Sequence, residues 1–280
     1  MVSTSGWTEA EVSDAGIGLP RSTQRPDPRP PPASPPTALT LMTGDGISLS
    51  ALAYGPSHSE VAVVFGHGFT GSQRNRKVVE LVHDLVRRGI AVYTADFRGH
   101  GASAGRSTYG EREVFDLEAV VAVARQHHDR VVTVGASMGA FVALRHAGLG
   151  GQVDAVVAIS SPAFGSVPKL PRARVLGRLV RSERGRRLLE RHGTRAAPFL
   201  PVSIPPIELA PTISPIPVAI IHGGRDRYVP LSDAQALHDR LGTPRRLVVL
   251  PNFGHGEAGF GPGFAAVLDD LIRDLLAQAP

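Results

Sequence analysis

Three residue types that together can hydrolyse an acyl bond follow three different apolar runs of this chain. They come in the order Ser137, Asp226 and His255. Each apolar run has the length and residue types of a buried β-strand, and the carboxyl ends of parallel strands meet at one edge of a sheet. A serine hydroxyl becomes a good nucleophile near neutral pH when a histidine, oriented by a carboxylate, accepts its proton. The three residues therefore predict a site with a serine nucleophile.

Ser137 lies in the pentapeptide Gly-Ala-Ser-Met-Gly, between the apolar run Val131–Val134 and a helical pattern that includes Phe141. A sharp strand-to-helix turn gives its central residue unusual backbone angles, and glycines on either side let the strand and the helix pass closely. The amide hydrogens at the start of the helix suit a developing oxyanion. The motif alone is a weak signal, because glycine-rich turns also serve packing. Its place between a strand and a helix strengthens it.

The elements that must position these residues alternate along the chain. From Ala38 onward, apolar runs of strand length are followed by segments with helical spacing of apolar residues. This order predicts an α/β fold, with a mostly parallel sheet of about eight strands flanked by helices on both faces. Two alternating runs around Gly44-Asp45-Gly46 predict a β-hairpin at one edge. The spacing of Ser232 to Gln235 is that of a capping box and predicts the start of a late helix.

The alternation stops between Pro162 and Pro217. We therefore predict an insertion at about 162–217, within a domain that spans residues 38–280. The apolar residues of the insertion have an amphipathic helical spacing, which predicts one helix or two helices that meet near Gly185. The apolar positions are Val175, Leu176, Leu179, Val180, Leu188 and Leu189.

Composition limits the class of protein further. The chain has no cysteine, which excludes disulfides and thiolate metal sites. No apolar run approaches the roughly 20 residues of a membrane span. Residues 1–37 are rich in proline, serine and arginine and lack the apolar core of a secretory signal, so we expect a disordered tail and a cytoplasmic protein.

Taken together, these motifs resemble those of the α/β-hydrolase superfamily over essentially all of Ala38 to Gln278. The Ser-Met-Gly sequence is most similar to that of the acylglycerol lipase, lysophospholipase and simple esterase branch. The matching segments are His67-Gly68-Phe69, Asp96-x-Arg98-Gly99-His100-Gly101, Gly135-x-Ser137-Met138-Gly139, Gly224-Arg225-Asp226-Arg227-x-Val229-Pro230 and Gly254-His255.

The resemblance implies a catalytic triad in which Ser137 is the nucleophile, His255 the base and Asp226 the acid that orients the base. It also implies that the backbone N–H groups of Phe69 and Met138 form the oxyanion hole. Other polar residues after strands are His67, Asp96 and His100, and we expect them to be structural. Glu257 is an alternative to Asp226 as the acid, although its position two residues after His255 makes the far ring nitrogen hard to reach.

The function that these residues predict is hydrolysis of a carboxylic ester with a small or medium acyl group, without a cofactor or a metal. A thioesterase, a peptidase or a carbon–carbon bond hydrolase would use the same three residues. A non-catalytic binding protein with this fold is the alternative outside the enzymes. Relatives that use an aspartate nucleophile, such as haloalkane dehalogenases and epoxide hydrolases, are disfavoured because the nucleophile position holds a serine.

The resemblance also implies that the insertion at about 162–217 is a helical cap, and this cap carries most of the positive charge. Between Lys169 and Arg195 the chain has ten basic and two acidic residues, a net charge of +8 against +5 for the whole chain. Such a segment fits a lid whose arginines lie in solvent, or a surface that attracts anionic substrates or lipid headgroups. We expect no nucleic-acid partner, since no recognition module accompanies the charge. The sequence does not indicate an oligomeric state.

Overall fold

The computed structural model describes residues 35–165, 170–198 and 204–279. The tail predicted over residues 1–37 therefore lies outside the described residues, apart from its last three positions. Thr37 belongs to the first strand, one residue before the predicted start of the domain.

Eight strands of the described part form one sheet in the order β1-β2-β4-β3-β5-β6-β7-β8. The strand β2 is antiparallel to both β1 and β4, and the other neighbours are parallel. This confirms the predicted α/β-hydrolase sheet with a hairpin at one edge. The strands are β1 (Thr37–Met42), β2 (Ser48–Tyr54), β3 (Val61–Gly66), β4 (Ala91–Ala95), β5 (Arg130–Ala136), β6 (Ala155–Ile159), β7 (Val218–Gly223) and β8 (Arg245–Leu250).

Helices cover both faces of the sheet, because strands buried on both sides alternate their side chains between two apolar cores. Val64 faces the core formed with α2, α3 and α7, whereas the adjacent Val63 faces the core formed with α1 and α8. None of the helices in the described ranges has the length and apolarity needed to cross a bilayer. The helices are α1 (Arg76–Arg87), α2 (Glu113–Arg125), α3 (Met138–Gly148), α4 (Pro171–Arg181), α5 (Glu183–Arg191), α6 (Pro206–Leu209), α7 (Leu231–Arg240) and α8 (Phe264–Leu276).

The cap contains two helices, α4 and α5, which meet at Ser182, three residues before the Gly185 near which the sequence placed their junction. Ser182 ends α4 with an extended backbone, and its Oγ accepts a hydrogen bond from the N–H of Gly185. Serine at this position caps the N-terminus of α5. Gly185 serves a different purpose, because a Cβ there would lie 2.2 Å from the carbonyl oxygen of Leu179. The glycine allows α5 to pack closely on the last turn of α4.

The predicted capping box of α7 is also wrong. The helix begins at Leu231, and its N-cap residue is Pro230, which makes no side-chain capping bond. Asp233, inside the predicted box, instead accepts a hydrogen bond from the backbone N–H of Ala163 at 3.0 Å. A tertiary contact thus uses the side chain that the local pattern assigned to the helix start.

The cap is attached to the body through its C-terminal end. The backbone N–H of Arg195 donates to the carbonyl of Gly99 at 2.7 Å, and the N–H of Ser107 donates to the carbonyl of Arg195 at 2.8 Å. The Tyr109 hydroxyl donates to the carbonyl of Ala197 at 2.7 Å. Within the described part, α4 and α5 pack chiefly on each other and only lightly on other helices and strands. The cap therefore rests on the loop that follows β4.

Candidate active site

The turn between β5 and α3 holds Ser137 in a backbone conformation with φ 54° and ψ −111°. A positive φ is rare for a residue with a side chain and persists only where the surroundings hold it. Here the N–H of Ser137 donates to the carbonyl of Ile159 on β6 at 2.8 Å, and its carbonyl accepts from the N–H of Phe141 at 3.0 Å. The turn leaves the side chain of Ser137 partly exposed at the carboxyl edge of the sheet.

The glycines on either side of Ser137 are required by space. A Cβ on Gly139 would lie 2.1 Å from the carbonyl oxygen of Gly66, and a Cβ on Gly135 would lie 2.2 Å from the carbonyl carbon of Gly139. Neither glycine has a positive φ. Strand β5, helix α3 and the end of β3 therefore approach as closely as the sequence predicted, and this contact fixes the position of the turn.

A continuous chain of hydrogen bonds links the three predicted residues. The Ser137 Oγ lies 2.8 Å from the Nε2 of His255, and the Nδ1 of His255 lies 2.8 Å from the Oδ2 of Asp226. Asp226 is 1% exposed and His255 is 18% exposed, so the histidine lies between a buried carboxylate and an accessible hydroxyl. Because a carboxylate can only accept, Nδ1 carries the hydrogen, and the free lone pair of Nε2 faces the serine.

Asp226 is arranged to stay ionised. Burial works against its charge, but the hydrogen bond from His255 and those from the backbone N–H groups of Tyr228 and Val229 favour it, and the net result is a lowered pKa. The two backbone donors both bind Oδ1, at 2.8 Å and 3.0 Å. The other oxygen is thereby reserved for the imidazole.

The ring of Tyr228 packs at a tilt against His255, and a guanidinium of the cap lies over the Tyr228 ring. The Tyr228 ring centroid lies 4.8 Å from that of His255, at an interplanar angle of 34°. The Cζ of Arg172, in the first turn of cap helix α4, lies 5.9 Å from the centroid of the Tyr228 ring. A guanidinium over an aromatic face is an attractive arrangement. These contacts connect the cap to the histidine.

The loop after β3 lies beside the serine, as the oxyanion role of Phe69 requires. A Cβ on Gly68 would be 3.5 Å from the Cβ of Ser137. The carbonyl of Gly68 accepts from the N–H of Gly71 at 2.9 Å, which closes a turn around Phe69. Met138, on the other side of the serine, is the first residue of α3, where backbone N–H groups have no partner within the helix.

A family comparison agrees with this architecture. The family model described as Serine aminopeptidase, S33 matches residues 57–198, just over half of the chain. The chain belongs to the S33 family of α/β hydrolases.

Relatives of this S33 hydrolase include enzymes that act on esters. A monoacylglycerol lipase of Mycolicibacterium smegmatis is 27% identical over 253 residues, which cover 77% of this chain and 88% of the lipase. The protein YqkD of Bacillus subtilis is 25% identical over 236 residues, which cover 78% of this chain and 72% of YqkD. The Pyrococcus furiosus esterase Pf2001 superposes with a TM-score of 0.70 at 22% identity, over 86% of this chain and 93% of the esterase. This last likeness is one of fold.

The other polar residues at strand ends of the S33 hydrolase bind the backbone. His67 is fully buried: its Nε2 accepts from the N–H of Phe97 at 3.0 Å, and its Nδ1 therefore donates to the carbonyl of Gly68 at 2.8 Å. Burial lowers the pKa of His67 to about 3, which keeps the ring neutral. Asp96 accepts from the N–H of Gln73 at 2.9 Å, and His100 bonds the carbonyl of Phe69. These contacts agree with the structural roles expected of the three residues.

Glu257, the alternative acid, does not contact the histidine nitrogen, which Asp226 occupies. Its Oε1 instead accepts from the N–H of Gly68 at 2.6 Å. The sequence reading also passed over Ser160, whose Oγ accepts from the N–H of Gly256 at 3.1 Å and whose φ is 53°. The sequence could have indicated Ser160, because this residue directly follows β6, the strand beside the one that ends at Ser137. The sequence could not have indicated the contact of Tyr228 with His255, because that contact depends on how two loops meet.

Among the residues that the structure describes, no group of three or more histidine, aspartate or glutamate side chains is placed to hold a metal ion.

Proposed function

We propose that this S33 hydrolase is a serine hydrolase that cleaves carboxylic esters with a small or medium acyl group. The Ser137 Oγ attacks the acyl carbon while the Nε2 of His255 takes its proton. The oxyanion of the tetrahedral intermediate is held by the backbone N–H groups of Phe69 and Met138. The ester C–O bond then breaks, and the imidazolium gives its proton to the leaving alcohol. Water, deprotonated by His255, releases the acid from Ser137 in the second half.

The observation that carries this proposal is the hydrogen-bond chain from Ser137 through His255 to Asp226, with both distances at 2.8 Å. Each contact supplies one requirement of the reaction: a proton acceptor for the hydroxyl, the correct tautomer of that acceptor, and a negative charge for the imidazolium. A binding protein with no reaction to perform has no need of these three contacts together.

The cap favours an ester over an amino-terminal peptide as the substrate. An aminopeptidase substrate carries a positive α-amino group, and an acidic group near the nucleophile would have to bind it. The carboxylate of Glu257 lies near Ser137 but is buried and accepts from the N–H of Gly68, and helices α4 and α5 carry eight arginines against two glutamates, so the cap side of the site repels a cation. The names of the lipase and esterase relatives agree with this choice.

The test is active-site labelling with a fluorophosphonate probe, with Ser137→Ala as the control. We expect the wild type to be labelled at Ser137 and the variant to remain unlabelled. Hydrolysis of 4-nitrophenyl esters of increasing acyl length, beside a thioester and an aminoacyl anilide, would then assign the bond that is cleaved. An unlabelled wild type that hydrolyses none of these substrates would refute the proposal in favour of a binding protein.

A second proposal concerns where the enzyme meets its substrate. Val175 and Leu188 are 54% and 45% exposed on the cap helices, among the arginines. Exposed apolar residues within a basic helical surface are typical of peripheral binding to anionic lipid. We infer that the cap contacts an anionic lipid surface from the cytoplasmic side. Sedimentation with vesicles that contain phosphatidylglycerol should recover the protein, and added salt should release it. Equal recovery on neutral vesicles at every salt concentration would refute this inference.

A further inference from the structure

A carboxylate that the reaction itself does not use lies inside the turn that presents Phe69. The Oε1 of Glu257 accepts a hydrogen bond from the backbone N–H of Gly68 at 2.6 Å, which is short for a bond from an amide nitrogen. Glu257 follows His255 by two residues, in a short helical turn that spans Gly256–Gly259. One side chain therefore ties the loop beside the nucleophile to the segment that carries the base.

The loop is built around this carboxylate. A Cβ on Gly68 would lie 3.1 Å from Oε2 of Glu257, and a Cβ on Gly71 would lie 3.1 Å from Oε1. Neither glycine has a positive φ, so their backbone angles do not demand glycine. For Gly68 the carboxylate is the closest obstacle to a side chain. A Cβ on Gly71 would contact both the carboxylate and the backbone of Gly68.

The peptide groups around Phe69 are held at their carbonyls by other residues and at the N–H of Gly68 by Glu257. The carbonyl of Gly68 is held by His67 and by the N–H of Gly71, and the carbonyl of Phe69 is held by His100. The N–H of Gly68 has Glu257 as its partner. The bond to Glu257 holds the preceding peptide, between His67 and Gly68, and therefore sets where the loop stands relative to the segment that carries His255. Donors to an oxyanion are effective only when they are fixed before the charge develops.

The charge of Glu257 has no cationic partner within the described part of the chain. Burial raises its pKa, while the hydrogen bond from Gly68 and the nearby imidazole of His255 oppose that rise. Lys77, the nearest lysine on the adjoining helix α1, donates to the carbonyls of Ala258 and Phe260 instead of to the carboxylate. The carboxyl group is therefore held by backbone donors, the N–H of Gly68 and its own N–H.

We propose that Glu257 is a positioning residue that holds the loop carrying the Phe69 N–H at a fixed distance from His255 and Ser137. This inference rests on the proposed function, because it assigns a role within the same reaction. It requires an acceptor at this position and does not require a negative charge. Glutamine should therefore replace glutamate, and alanine should not.

The experiment compares Glu257→Ala and Glu257→Gln, with Glu80→Ala on the exposed face of α1 as the matched control. With a 4-nitrophenyl ester, we expect Glu257→Ala to lower kcat about 10- to 100-fold with KM within about threefold, since removal of a whole donor costs about 10²–10³. The affinity for a phenylboronic acid, which forms a tetrahedral anion on the serine, should fall by a similar factor. Glu257→Gln should restore both values to within about fivefold of the wild type, and Glu80→Ala should change neither.

A measurement without turnover covers the case in which Glu257→Ala folds poorly. The amide proton of Gly68 should resonate far downfield in the wild type, as expected for a short hydrogen bond to a carboxylate oxygen, and should lie between this shift and an ordinary one in Glu257→Gln, whose neutral carboxamide accepts a weaker bond. The proposal is overturned by unchanged kcat and boronic acid affinity in a folded Glu257→Ala, by equal losses in the alanine and glutamine variants, or by an ordinary Gly68 shift. If the wild type neither hydrolyses the ester nor reacts with the fluorophosphonate, the proposed function fails instead.

Discussion

Replacing Asp226 with asparagine should abolish the basicity of His255 toward Ser137 while leaving the fold intact. Two backbone N–H groups bind Oδ1 of Asp226, at 2.8 Å and 3.0 Å. The asparagine carbonyl oxygen must take this position, because an NH₂ group cannot accept from them. The NH₂ group then takes the place of Oδ2, 2.8 Å from the Nδ1 of His255, and donates to it. The imidazole must shift its hydrogen to Nε2, which now points a hydrogen at the serine.

The expected magnitude follows from this tautomer. A base that presents a hydrogen to the nucleophile cannot accept its proton, and the imidazolium also loses its counterion. For a triad that keeps its geometry, this exchange costs about 10⁴ in kcat, or about 5 kcal/mol of transition-state stabilisation. The melting temperature should change little, since the shape of the side chain and both backbone hydrogen bonds are kept.

The assay is steady-state hydrolysis of a 4-nitrophenyl ester, together with the rate of fluorophosphonate labelling. Both rates should fall in Asp226→Asn, because labelling also needs a deprotonated serine. Asp239→Asn, on the exposed side of α7, is the control and should match the wild type. An Asp226→Asn variant within tenfold of the wild type, with its fold retained, would refute the proposed role of Asp226 and the tautomer argument.

Two further predictions concern stability. Gly139→Ala should lower the free energy of unfolding by on the order of 3 kcal/mol, because its Cβ would lie 2.1 Å from the Gly66 oxygen. Gly44→Ala is the control and should cost little, since no atom lies within 4 Å of its added Cβ. Urea denaturation measures both, and equal effects would contradict the argument from close approach. The hydrogen bond from Arg98 lowers the pKa of Asp45 to about 2. Its stabilisation is therefore present above the unfolded pKa of about 3.9 and is lost as the pH falls through about 2. Asp45→Asn should lower the free energy of unfolding at pH 7 by about 1 to 2 kcal/mol. The difference between wild type and variant should shrink toward pH 2, and a difference that stays constant with pH would contradict this prediction.

The sheet and the place of Ser137 could be predicted from the sequence because they depend on local patterns. Continuous apolar runs predict strands buried on both faces, and parallel strands bring their carboxyl ends together whatever the loops do. Ser137, Asp226 and His255 each follow such a run, so their convergence required only the order of the elements.

The remaining contacts could not be predicted, because they depend on how distant loops meet. Glu257 was weighed only against the nearby His255, yet its partner is Gly68, 189 positions earlier in the chain. The contact of Tyr228 with His255 and the capping by Ser182 are of the same kind. In α7, a tertiary bond to Ala163 outweighed the local capping pattern. Sequence spacing favours hydrogen-bond partners that are close along the chain, whereas the folded protein pairs residues that are close in space.

The attachment of the cap also bears on how this protein can diversify. Because α4 and α5 pack chiefly on each other, we expect substitutions in these helices, apart from Arg172 beside Tyr228, to leave the two apolar cores undisturbed. Selection can therefore alter the cap without lowering the stability of the sheet. We expect relatives of this protein to differ more in the roughly twenty residues of these two cap helices than in the sheet beneath them.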